Sequence, residues 1–105
     1  MEILDLERIK DMIRQEQFIM SSPARSRMFQ RNISTDEMID IVMNSQIIES
    51  YPDDLPCPSV LLLGFTSSQA YHIVAAQCED HVRIVTAYFP AKDKWIEDRI
   101  RIDRQ

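Results

Sequence analysis

His72 and Tyr88 are the side chains best suited to move a proton in this sequence, and Arg27, Arg31 and Arg83 those best suited to hold an anion. An imidazole titrates close to neutral pH and a phenol hydroxyl both donates and accepts, so the two facing one substrate form an acid–base pair. Arg27 and Arg31 stand one helical turn apart, and two guanidinium groups on one helix face make a clamp for phosphate or carboxylate. Arg83 alternates with Ile84 and points to the open face of a strand. Cleavage of an RNA phosphodiester needs a base for the 2′-hydroxyl, positive charge for the phosphorane and an acid for the leaving 5′-oxygen. These five residues supply groups of those kinds. Each also has a plain structural use. A histidine among apolar strand residues is commonly a hydrogen-bonded core residue, a tyrosine at a strand end packs with its hydroxyl at the rim, and the arginines have Asp36 and Glu37 within reach as ion-pair partners.

Several other site types have no motif to support them. A single glycine cannot build a phosphate loop, no His/Cys/carboxylate group has zinc-ligand spacing, and no elbow motif marks a nucleophile. The sequence thus implies neither metal nor cofactor. Cys57 and Cys78 stand far apart and read as reduced bystanders. The net charge of -5 argues against nonspecific coating of nucleic acid, which depends on many cations. Its distribution is uneven: residues 81–105 hold six of the twelve bases against four acids, so a modest basic face is available. No apolar run approaches the roughly 20 residues of a bilayer span, and the N-terminus lacks a signal-peptide pattern, so a soluble cytoplasmic protein is expected.

The elements that must position these residues follow from hydrophobic period. At 105 residues the chain is expected to form one domain spanning 1–105. A helix is predicted from Glu2 to Glu16, with Leu6, Ile9, Met12 and Ile13 on one face. After a break at Phe18 to Ser21, Ser22 is expected to cap a second helix with Pro23 at its first position. Ser34 and Glu37 form a capping box for a third, ending near Asn44. Strands are predicted at Gln46 to Tyr51, Val60 to Phe65, Tyr71 to Gln77 and Val82 to Phe89, with the proline-rich stretch after Tyr51 as a connection. Short connections require antiparallel pairing. The expectation is an α+β fold: two to three N-terminal helices packed on a four-stranded antiparallel sheet, with a short C-terminal helix or tail over Ala91 to Ile102. A hairpin turning at Glu79 and Asp80 sets residues near 72 against residues near 87 or 88, which puts His72 and Tyr88 within reach as cross-strand neighbours, with Tyr88 on the face of Ile84 and Thr86. Gly64, inside a strand, marks a bulge or a close backbone approach.

The runs ArgMetPheGlnArgAsnIleSer, IleIleGluSerTyrProAspAspLeuProCysProSerValLeuLeuLeuGly, HisIleValAlaAla and IleValThrAlaTyrPheProAlaLysAspLysTrp, over about residues 19–96, resemble the bacterial and archaeal family DUF4258. That family looks like a relative of the compact toxin nucleases of type II toxin–antitoxin pairs. The resemblance implies a metal-independent ribonuclease acting on messenger RNA, partnered by a small antitoxin of zinc-finger or helix-turn-helix type. One departure stands out: the family pattern usually carries a histidine where this chain has Pro23. Two further readings are open. The domain could be a non-catalytic module docking a protein by its sheet face or edge, or the His72/Tyr88 pair could line a small-molecule pocket.

Overall fold

The computed structural model describes residues 4–66, 69–90, 95–98 and 100–101. Helix α1, Leu6–Arg14, begins where the Asp5 side chain accepts the Glu7 N–H and buries Ile9, Met12 and Ile13. It is shorter than the predicted 2–16, since Asp5 is already its cap and Glu16 takes a φ of 61°; residues 1–3 lie outside the described residues. Helix α2, Ser22–Gln30, is capped by Ser21, one residue earlier than expected, with Pro23 still inside the first turn where its missing N–H is harmless. Helix α3, Thr35–Met43, carries the expected capping box, both bonds 3.0 Å, and ends at Asn44.

Four strands follow: β2 Gln46–Tyr51, β3 Ser59–Thr66, β4 Gln69–Gln77 and β5 Val82–Tyr88. They pair antiparallel as expected, but the sheet has a fifth strand, β1 (Phe18–Met20), so the four-stranded antiparallel expectation is corrected to a five-stranded mixed sheet of order β1-β5-β4-β3-β2. The segment expected to be a break is β1, Phe18–Met20, paired parallel to β5 with Phe18 opposite Val82 and Met20 opposite Ile84. Two helices and three strands separate β1 from β5, ample chain for a parallel return. The C-terminal helix is also corrected: β6, Trp95–Ile96, and β7, Ile100–Arg101, form an antiparallel hairpin. Its turn holds Glu97 and Asp98 at φ 50° and 66°, which no helix tolerates. The rest of that predicted helix, at 91–94, 99 and 102, lies outside the described residues.

All three helices cover one face of the sheet, where Ala24, Met28, Met38, Ile41 and Val42 pack on Val60, Leu62, Ile73, Ala75 and Ile84. Gly64 belongs to this face. A Cβ there would overlap the Ile41 carbonyl oxygen and lie 2.7 Å from its Cγ2, so the glycine marks a close approach of α3 and not a bulge.

Two register shifts govern the other face. One lies between Ile47 and Glu49, the other opposite Val74 and Ala75, leaving Ile48 and Val85 unpaired. Each extra residue turns the rest of its strand over. Ile47 and Ile84 therefore contribute to the helix side, whereas Glu49, Tyr51, Thr86 and Tyr88 stand opposite Leu61, Ser59, Val74 and His72 on the far side. The expectation that Tyr88 shares a face with Ile84 fails for this reason. The Ser21 hydroxyl holds the second bulge, donating to the Val85 carbonyl at 2.6 Å while accepting from the Ala24 N–H.

The cysteines are not reduced bystanders. The β3–β4 register pairs Ser59 with Ala76, and two residues further out it brings Cys57 opposite Cys78. The two form a disulfide with a Cα separation of 5.2 Å, within the usual range.

Candidate functional site

His72 and Tyr88 are directly opposed in the β4–β5 ladder, as the hairpin reading expects, because the Val85 bulge shifts the pairing by one. Their rings meet edge to face with centroids 5.2 Å apart, and His72 Nδ1 lies 3.3 Å from the Tyr88 hydroxyl. The other ring nitrogen, Nε2, is 2.5 Å from the Asp98 carbonyl oxygen in the turn of the C-terminal hairpin. A carbonyl only accepts, so Nε2 carries the proton; in the neutral ring Nδ1 is then the acceptor and Tyr88 the donor. The order is Tyr88 O–H to His72 Nδ1, and His72 Nε2–H to Asp98.

Burial sets the protonation of both groups. His72 is 0% exposed, and desolvation pushes its pKa below the ordinary imidazole value, against the opposing pull of the Asp98 carbonyl and the charge of Glu49. Tyr88 is raised, again chiefly by burial. At neutral pH the pair is therefore an unprotonated imidazole beside a protonated phenol, a base next to an acid. Tyr88 keeps part of its surface in solvent, whereas His72 keeps none.

Residues not singled out from sequence complete this face. The Glu49 carboxylate receives Arg101 at 3.1 Å from Nη2 and 3.3 Å from Nε, and also accepts the Tyr51 hydroxyl. Burial alone would raise the Glu49 carboxyl, but the hydrogen bonds from Arg101 and Tyr51 outweigh it and hold the group below its ordinary value. Tyr51 is pushed up to about 12 by burial and by its bond to Glu49. The available signal is an acid and a phenol two apart in a strand, Glu49 and Tyr51, hence on one face. Which face depends on the bulge at Ile48, and no residue type announces that bulge.

The arginines are divided by the sheet. Arg83 pairs with Ala76 and shares the His72 face, where it borders a cavity of about 220 Å³ with Asp54, Pro56, Cys57 and Val74. It stands four ladder positions from His72, about 13 Å at strand spacing. Arg27 and Arg31 belong to α2 and its C-cap, on the helix side. Arg27 is exposed; Arg31 lies over the Phe89 ring at 4.3 Å, and Phe89 stacks on Tyr71. The structure thus brings His72 and Tyr88 together but does not bring Arg27 and Arg31 to them. Pro23 is exposed in the first turn of α2 on that same helix side. Neither this cavity nor a second of about 250 Å³ between Met20, Met28, Phe29 and Ile33 is lined by His72 or Tyr88. Among the described residues no group of three or more His, Cys, Asp or Glu is placed to hold a metal, and no helix is long and apolar enough to cross a membrane.

No curated protein and no solved structure matches the chain. The family profile described as "Domain of unknown function (DUF4258)" matches residues 20–89, which runs from the end of β1 to just past Tyr88 and so contains α2, α3, the four-strand meander and both members of the buried pair. The chain is a member of the DUF4258 family.

Proposed function

We propose that this chain is a toxin-like endoribonuclease in which Tyr88, backed by His72, is the general base. The observation that carries the reading is the hydrogen-bonded order Tyr88–His72–Asp98 carbonyl, with the solvent end at Tyr88. A substrate 2′-hydroxyl gives its proton to the Tyr88 oxygen as Tyr88 passes its own to His72 Nδ1. The resulting imidazolium keeps Nε2–H on the Asp98 carbonyl, the same support a third group gives the histidine of a catalytic triad. The 2′-oxygen then attacks phosphorus to form a 2′,3′-cyclic phosphate, the 5′-oxygen leaves with a proton from water, and the hydroxide so formed takes back the His72 proton through Tyr88. Burial of His72 is compatible with this role, since only Tyr88 touches substrate. Arg101 supplies positive charge beside the pair, and Arg83 meets a phosphate further along the strand. The overall charge of -5 makes binding depend on this local charge. The family resemblance adds a small antitoxin as the partner.

The test is cleavage of a mixed-sequence RNA in chelator-containing buffer, with and without ribosomes, alongside growth on induced expression. Cleavage that falls roughly a hundredfold in both His72→Ala and Tyr88→Phe is the expected result. A second reading, a non-catalytic protein-docking module, is favoured by the 87% exposure of Phe29 and 51% exposure of Ile19 near the edge strand β1. It replaces the first if the native chain neither cuts RNA nor arrests growth.

A further inference from the structure

The β6–β7 hairpin meets the far face of the sheet at Asp98 and at Arg101, three residues apart. Asp98 receives His72 through its carbonyl, and Arg101 grips Glu49 with two nitrogens. The first contact alone is a poor anchor. It comes from a turn in which two successive non-glycine residues, Glu97 and Asp98, occupy the left-handed region, a conformation that persists only when its surroundings enforce it. The second is of the stronger kind: a planar guanidinium meeting both oxygens of a carboxylate whose side chain is 23% exposed, with the Tyr51 hydroxyl fixing one of those oxygens. Glu49 reaches this position only because the bulge at Ile48 turns it away from the helix face.

We propose that Glu49 is a positioning residue: by holding Arg101 it keeps the hairpin seated, so that the Asp98 carbonyl stays on His72 Nε2 and the Nδ1 lone pair stays aimed at Tyr88. Its consequence for catalysis rests on the ribonuclease reading; its consequence for the His72 ring does not. In solution both tautomers of the imidazole are populated, and here the choice is made by the partner of the far nitrogen. Without a seated carbonyl, Nε2–H loses its acceptor, the two tautomers exchange, and the ring presents a donor to Tyr88 part of the time. A similar dependence on the histidine's far-side partner holds wherever that partner sets the tautomer.

Nitrogen-15 NMR of the His72 ring tests this without reference to activity. Among the described residues, the charged and titratable groups acting on the ring are Tyr88 from β5, Glu49 from β2, and Asp98 and Arg101 from the hairpin. Two effects of removing Glu49 oppose each other in sign. If Glu49 acts through space alone, Glu49→Gln takes an anion from near His72 and its pKa falls further. If Glu49 seats the hairpin, the same change admits water to the ring and the pKa climbs toward the ordinary value of 6.5. Arg101→Lys separates the two again, because it keeps the charge and loses the two-nitrogen grip: seating predicts the same rise, a through-space effect predicts none. The expected result is a single Nε2–H tautomer in the native chain, mixed tautomers and a raised His72 pKa in both variants, and an otherwise unchanged amide spectrum. A fall in pKa in Glu49→Gln, or one tautomer persisting in both variants, overturns the proposal. In the cleavage assay both variants are expected to lose roughly tenfold in kcat with KM retained. If the ring responds as expected while the native chain cuts no RNA, the ribonuclease reading fails and the positioning role stands.

Discussion

On the helix side of the sheet, Val60, Leu62, Ile73, Ala75 and Ile84 meet apolar side chains from three helices; on the far side, Leu61 and Leu63 are just as buried but lie beside His72, Tyr88, Glu49 and Tyr51. The first face is fixed by shape. Packing there is close enough that Gly64 has no room for a methyl group. The second is fixed by directional bonds, namely the Tyr88–His72–Asp98 order and the Arg101–Glu49–Tyr51 cluster. A face held by volume tolerates no change of volume, and a face held by protons answers to chemistry. The same sheet therefore carries its helix-packed core on one side and its hydrogen-bonded polar groups on the other.

That division is broken most severely by exchanging the two kinds of damage. Leu62→Ala removes a fully buried side chain from the helix face and is expected to cost about 2–5 kcal/mol of unfolding free energy while leaving cleavage per folded molecule unchanged. His72→Ala is expected to do the reverse, with cleavage down roughly a hundredfold, about 2.7 kcal/mol at the barrier, and a smaller loss of stability. Urea unfolding and RNA cleavage on the same samples check both. Equal loss of activity in the two variants would show that the faces do not divide the work.

Next in size is the bridge that closes the far face at the Arg83 end. Cys57–Cys78 encloses a sequence separation of 21, and in the chain-entropy account a loop of that length is stabilised by about 3 kcal/mol. The double variant Cys57→Ser with Cys78→Ser is expected to unfold at correspondingly lower urea. Disulfides persist mainly in oxidising compartments, so alkylation of the chain as isolated from its native cells bears on the expectation of a cytoplasmic location. Two free thiols in that sample would mean that the Arg83 cavity works without its bridge.

The far face should also respond to pH where the helix face does not. The folded pKa of His72 lies below the unfolded value of 6.5, so the unfolded chain binds the extra proton first. The stability contributed by burying a neutral imidazole is present above pH 6.5 and is lost as pH falls from there toward the folded pKa. Stability measured between pH 5 and 8 should rise with pH across that window, and His72→Gln should remove that part of the slope. An unaltered slope in the variant would assign it to other groups.

How much of this is legible in the sequence differs between the faces. The helix side is readable, because Ile9, Met12 and Ile13 in the first helix and Met38, Ile41 and Val42 in the third follow a helical period, and the Ser34/Glu37 box marks a start. The far side is readable only in pieces. The turn at Glu79 and Asp80 brings His72 near Ala87 and Tyr88, but the pairing with Tyr88 and its change of face both come from the bulge at Val85, which the distant Ser21 hydroxyl holds. Cys57 and Cys78 become opposite once the β3–β4 register, with Thr66 opposite Gln69, is known; their separation in sequence conceals it. Glu49 and Arg101 are 52 residues apart, with no period to connect them.

The smallest expected effect concerns the arginines, and it places the nucleic acid on one face or on both. Arg83 shares the face of His72, so Arg83→Ala should weaken binding of a single-stranded RNA and reduce the slope of log affinity against log salt by roughly 0.7, the share of one phosphate that the protein no longer neutralises. Arg31 lies on the other side, over Phe89, and Arg31→Ala should cost about 0.5–1 kcal/mol of stability through the cation–π interaction, with little change in RNA affinity. Arg27, exposed on the same helix, should change neither by a measurable amount. Fluorescence anisotropy across a salt series separates these outcomes, provided His72→Ala is present to prevent cleavage. Equal reduction of slope in Arg27→Ala and Arg83→Ala would mean that the strand passes around the edge of the sheet and uses both faces, and that the paired arginines act as the phosphate clamp their spacing suggests.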